Sequence, residues 1–204
     1  MNIKRLTLGE LGTNCYIAGK EGTAVVIDPA DDADTISDYL VENDLKAVAI
    51  LLTHGHFDHI LACDGLKKMT GATVYVHKAE KELLEDAKLN AGDRFGMSKT
   101  AHADVFVEDG QVLDLGGMKF EVIYTPGHTI GSVCYLDKED KVMFTGDTIF
   151  YGSVGRCDLP TGDENVLMES LQKLKSLDPE TEMYPGHGRS TTIAGELKRN
   201  MYLR

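Results

Sequence analysis

The sequence holds no Cys-x-x-Cys pair: its four cysteines, Cys15, Cys63, Cys134 and Cys157, stand far apart. That spacing writes neither a thiolate zinc clip nor a redox dithiol, and it leaves the cysteines to act as small apolar residues. No apolar run reaches the roughly 20 residues that cross a bilayer, and no signal-peptide core follows Met1-Asn2-Ile3-Lys4-Arg5. The cytoplasm is the expected compartment, with no membrane partner. Cations are scarce, with 21 Lys and Arg against 33 Asp and Glu and a net charge of −12. A nucleic-acid partner is not expected, because phosphate backbones are bound by clustered basic side chains. No Pro/Gly/Ser linker or low-complexity tract divides the chain. Its 204 residues suit one domain spanning 1–204.

Short apolar runs ending in Gly, Asp or His alternate with stretches of helical period, the pattern of an α/β layered domain. Strands are expected at Ile3–Leu8, Asn14–Ala18, Ala24–Ile27, Ala47–Thr53, Thr73–His77, Met118–Thr125, Ser132–Leu136, Lys141–Thr145 and Glu182–Tyr184. Helical faces are formed by Ile36, Tyr39 and Leu40, by Leu83, Leu84 and Ala87, by Leu167, Leu171 and Leu174, and by Ile193, Leu197 and Met201. Thr161 or Asp163 is expected to cap the third, with Glu164 closing a capping box from Thr161. The stretch from Asn90 to Ala103 reads as a surface excursion near the site.

The chemistry concentrates where strands end. His54-Gly55-His56-Phe57-Asp58-His59 places three of the seven histidines and a carboxylate in six residues. Imidazole and carboxylate suit Zn, Fe or Mn, and alternation points His54 and His56 the same way while Asp58 and His59 can reach a second centre. Pro126-Gly127-His128 and Pro185-Gly186-His187 repeat one context, a turn just past a strand that presents a histidine at the sheet edge. Asp147, in Thr145-Gly146-Asp147, also lies just past an apolar strand. A carboxylate can give one oxygen to each of two metals, so Asp147 is the expected bridge. His77 reads as a cap or sheet-edge group, Arg156 as a loop brace beside Asp158 or Asp163, and His102 and Cys157 carry no assigned role.

Taken with Asn14-Cys15-Tyr16, Ile27-Asp28-Pro29 and Gly155-Arg156-Cys157-Asp158, these motifs make the chain resemble the metallo-β-lactamase superfamily, and within it the glyoxalase II-like hydrolases. The resemblance implies a four-layer αββα sandwich with the site in a groove at one sheet edge. It implies two divalent metal ions, zinc by preference and otherwise iron or manganese. One would lie on His54, His56 and His128, and the other on Asp58, His59 and His187, with Asp147 shared. It further implies a thioesterase for 2-hydroxyacyl thiols, a small-molecule substrate, and a metal-activated water as nucleophile that Asp58 orients. Persulfide dioxygenases resemble the same superfamily and would use one iron on His54, His128 and Asp147. Lactonases and β-lactamases share the scaffold too. Longer glyoxalase II enzymes add a C-terminal helical domain that holds glutathione, and no matching segment comes after His187 here.

Overall fold

The structure is a computed structural model describing residues 1–204. In chain order the elements are β1 Asn2–Leu8, β2 Thr13–Lys20, β3 Thr23–Ile27, α1 Ala33–Glu42, β4 Lys46–Leu51, α2 Phe57–Ile60, α3 Cys63–Thr70, β5 Thr73–His77 and α4 Lys81–Glu85. They continue with β6 Val105–Val107, β7 Val112–Leu115, β8 Met118–Tyr124, β9 Val133–Asp137, β10 Val142–Gly146, β11 Ile149–Phe150, β12 Ser153–Val154, α5 Glu164–Leu174, β13 Glu182–Pro185, β14 Thr191–Thr192 and α6 Ile193–Arg199. The first sheet runs β1-β2-β3-β4-β5-β6, the second β14-β13-β10-β9-β8-β7, and β11 and β12 form a separate ribbon.

Side-chain alternation makes the layers. On β2, Tyr16 and Ala18 face the second sheet, while Cys15 and Ile17 face the helices outside. On β9, Val133 and Tyr135 point inward and Cys134 and Leu136 outward. Both faces of these strands are buried, so they read as near-continuous apolar runs. Three packed regions result. One lies between the sheets around Tyr16, Phe120, Tyr135 and Phe144, one under α1 and α3, and one under α5 and α6. This is the expected αββα sandwich. Tyr16 and Tyr135 are buried whole, and each phenol finds a carbonyl across the sandwich: Tyr16 donates to Pro185 at 2.7 Å and Tyr135 to Leu52 at 2.9 Å.

All nine expected strands form. Two helical expectations are corrected. Ala87 lies beyond α4, whose C-terminal Asp86 is already extended, and Met201 sits in a short 3₁₀ turn with 70% of its surface exposed. Asp163 caps α5 by accepting from the Asn165 and Val166 amides. No box forms from Thr161, whose hydroxyl instead accepts from the Ile130 amide. His77 accepts from the Ala79 amide at 3.3 Å, the cap role expected of it. No helix is long and apolar enough to cross a membrane.

Candidate metal centre

β3, β4, β8, β10 and β13 all run toward one rim of the sandwich, and the turns beyond their last residues build the site. After β4, Thr53 is fixed twice by Asp28, which accepts from its amide and its hydroxyl, each at 2.7 Å. His54-Gly55-His56 then turns into α2, so Asp58 and His59 leave one helical turn. Gly55 packs closely on α4 and Glu80: a Cβ there would come within 2.7 Å of Leu83 Cδ2 and 3.1 Å of Glu80 Oε2. After β8, Gly127 adopts φ of 130° and its missing side chain makes room for Leu167. β10 and β13 pair in parallel, and the Gly186 amide donates to Gly146 at 2.8 Å, which sets Asp147 and His187 side by side. A Cβ on Gly186 would collide with Asp147 and His59.

All seven expected side chains converge. His54, His56 and His128 bring their donor atoms within 4.8 Å of one another, as do Asp58, His59 and His187. Asp147 lies between the groups: Oδ2 is 3.6 Å from Nε2 of both His128 and His187, and Oδ1 is 3.4 Å from Nε2 of His59. Asp28, His54 and His59 also satisfy the spacing. The Asp28 oxygens are already taken by Thr53 and by His59 Nδ1, however, so Asp28 is a brace.

Hydrogen bonds set the direction of the rings. His59 Nδ1 donates to Asp28 at 3.0 Å, and His128 Nδ1 donates to the Arg156 carbonyl at 2.7 Å. His54 Nδ1 donates to the Thr53 hydroxyl at 3.1 Å, whose own proton goes to Asp28. In each case the outer nitrogen is held by its partner and Nε2 faces inward, whereas His56 presents Nδ1, 2.9 Å from His128 Nε2. His54 Nε2, His56 Nε2, His59 Nε2 and Asp147 Oδ1 are buried and have no hydrogen-bond partner. Buried polar atoms are rarely left so, since each costs about 1–3 kcal/mol. Cations suit this donor set of imidazoles and carboxylates, which fits a metal site.

The electrostatics agree. Burial pushes His54 well down, His56 to about 3 and His128 down, which leaves neutral imidazoles with free lone pairs. Burial opposes protonation of His59 too, yet Asp58, Asp147 and Asp28 together hold it well above the ordinary value. Burial favours the neutral form of Asp147, but the neighbouring imidazoles, His59 first, hold its carboxyl below the usual range. The His59 proton thus occupies a position that a divalent cation would take over.

Three residues with no role read from the sequence complete the site. Asp28 is the first. Thr13 donates to Asp58 Oδ2 at 2.7 Å and fixes that carboxylate. Glu80 is fully buried without a cation: Oε2 accepts from the Gly55 amide at 2.7 Å, and Oε1 from the Gly131 amide and the Thr129 hydroxyl at 2.6 and 2.8 Å. It therefore ties the His54–His59 loop to the loop carrying His128. Burial raises its pKa, and only these three donors offset the cost. The Ile27-Asp28-Pro29 strand end hinted at Asp28, whereas nothing local marks Glu80. Arg156 makes a bidentate pair with Asp158 at 2.6 Å, the brace expected. His102 is exposed and paired with Asp64, apart from the cluster, and Cys157 is half-buried. The Asn90–Ala103 excursion does border the site, since the Asn90 carbonyl accepts from the Phe57 amide and Phe95 stacks on Phe57 at 5.0 Å.

Residues 8–187 match the metallo-beta-lactamase superfamily. Hydroxyacylglutathione hydrolase GloC of Haemophilus influenzae is 35% identical over 100% of this chain and 98% of its own length. Among solved structures, the BLEG-1 B3 metallo-beta-lactamase is 38% identical, superimposes with a TM-score of 0.95 and is covered to 99% in both chains. TTHA1623, solved in a di-iron-bound form, is 39% identical with a TM-score of 0.90 over 98% of this chain and 100% of its own. Sequence, sandwich and His/Asp cluster lead to one conclusion: this chain belongs to the metallo-β-lactamase superfamily.

Proposed function

We propose that the protein is a hydrolase that holds two divalent metal ions and cleaves thioesters of 2-hydroxy acids. The observation that carries this reading is the position of Asp147, one carboxylate facing both groups of donor atoms. His54, His56 and His128 would hold one ion, and Asp58, His59 and His187 the other, with Asp147 shared. Bound there, the ions supply an ionised water at neutral pH and Lewis acidity toward a carbonyl. Asp58, its rotation fixed by Thr13, orients the attacking water. Asp28 and the Arg156 carbonyl hold the outer protons of His59 and His128, keeping both rings aimed into the groove.

A thioester suits this site because its leaving thiolate, from a thiol of pKa about 8.5, departs with little proton assistance. Every histidine of the cluster is committed to the centre, so none is free to act as a general acid. The full-length likeness to a hydroxyacylglutathione hydrolase supports the choice. Likeness to a B3 β-lactamase favours β-lactam cleavage as the second reading. Zinc is the expected metal, and the di-iron relative makes iron the alternative.

Elemental analysis of the protein as isolated, run beside rates on S-lactoylglutathione, a lactone, a β-lactam and a persulfide, tests the assignment. Two ions per chain with the thioester as best substrate is the expected result. One iron per chain with oxygen uptake on the persulfide overturns it.

A further inference from the structure

Six arginines are present in the chain, and three of them, Arg5, Arg189 and Arg199, gather at the Gly188 turn immediately after His187. Arg5 donates to the Gly188 carbonyl at 3.1 Å. The Arg189 guanidinium sits 3.6 Å from the centroid of the Tyr151 ring, and that of Arg199 sits 4.3 Å from the same centroid. Both guanidiniums thus pack on the one Tyr151 ring. Arg199 is neutralised by Glu196 at 2.8 Å and also donates to Thr191 at 2.9 Å. Glu196 is buried and accepts from the Gly152 amide at 2.7 Å, so one carboxylate fixes both Arg199 and the turn that carries Tyr151.

Arg189 differs from Arg199 in having no carboxylate against it. Its flat face is spent on the ring, while the edge, where its N–H groups lie, stays exposed. Stacking on a ring restricts a long side chain in advance, and a planar fork of donors matches a carboxylate geometrically. The position is at the groove. Two residues span at most about 7 Å of chain from His187, and the Phe150 ring next to Tyr151 packs against His187 at 6.0 Å. His187 is itself the most exposed histidine of the cluster, 30% open at the rim. A cation without a carboxylate partner there, on a chain of net charge −12, is a local reversal of sign.

We propose that Arg189, seated on Tyr151, binds a carboxylate of the substrate, so that the site prefers acyl thiols carrying a free carboxylate over otherwise identical neutral ones. The assignment deepens the hydrolase reading and rests on it for the identity of the ligand as substrate. Its binding test does not depend on turnover. S-propyl N-acetylcysteine and its carboxamide differ only in that charge, and ligand-observed NMR on the metal-loaded protein gives the affinity of each. The carboxylate should bind about tenfold tighter to the unaltered protein, the worth of one charge-assisted contact at a partly exposed site. Arg189→Met should remove that preference while leaving carboxamide binding unchanged, and Arg189→Lys should retain part of it. No preference in the unaltered protein, or an equal loss for both probes in Arg189→Met, overturns the proposal. If the preference disappears in Arg189→Met but no thioester is hydrolysed by the unaltered protein, the hydrolase reading falls and the Arg189 site stands.

Discussion

The two sheets furnish the candidate centre in different ways. The first sends His54, His56, Asp58 and His59 from a single six-residue stretch. The second sends His128, Asp147 and His187 from three separate strand ends. The first set is braced by side chains, with the buried carboxylates of Asp28 and Glu80 gripping Thr53, Gly55 and His59. The second adds main-chain braces, the Arg156 carbonyl and the Gly186 to Gly146 hydrogen bond, to the side-chain grips of Glu80 on the His128 loop and of Asn14 on the His187 turn. One half therefore carries its preorganisation in replaceable side chains. The other carries part of it in the register of β10 against β13, where only glycine fits at Gly186.

Substitutions that strike the two halves separately should break or sharpen this contrast. Asp147→Asn acts on the residue common to both donor groups and should have the largest effect. Turnover is expected to fall by at least about 100-fold together with metal content, while far-UV circular dichroism stays unchanged because the residue lies outside the three apolar regions. Retained turnover at full metal content would place the link between the groups elsewhere. Glu80→Gln tests the side-chain brace next. The amide would turn an N–H toward either the Gly55 amide or the Gly131 and Thr129 donors, so one loop loses its acceptor. Chelator competition should show metal affinity lowered by about 10- to 100-fold, with thermal stability reduced by about 1–3 kcal/mol. Unaltered affinity would mean that the first loop needs no such grip. The mildest effect is expected from removing metal alone. Hydrogen exchange should then rise at 146–156 and 186–190, which are more exposed, and stay low across 53–59, which is buried apart from the partly buried Asp58. Equal exchange in both segments would erase the distinction.

Legibility from sequence divides along the same line. The His54–His59 stretch is visible because its donors are consecutive, and the two Pro-Gly-His turns because a strand stop and a flexible glycine repeat in one context. The edge strands β6 and β7 are three and four residues long, too short to show a strand period, and Val112 is 58% exposed. Helix α3 follows Ala62, which offers no side-chain cap, and its Gly65 and paired lysines blur the period. Glu80 could not be assigned a role because its three partners lie 25 to 51 residues away in sequence. Only the assembled fold brings them together. Asp28 adopts φ of 49°, a left-handed conformation that the proline after it gave no reason to expect.

The opposite rim of the sandwich is built quite differently. There the chain reverses through Glu21 and Gly22, Asp44, Gly116 and Gly117, and Lys141, all in left-handed conformations and none touching a donor residue. Those reversals are the natural places to splice in foreign sequence, a reporter peptide or an affinity handle, since about five residues of strand separate them from the chemistry.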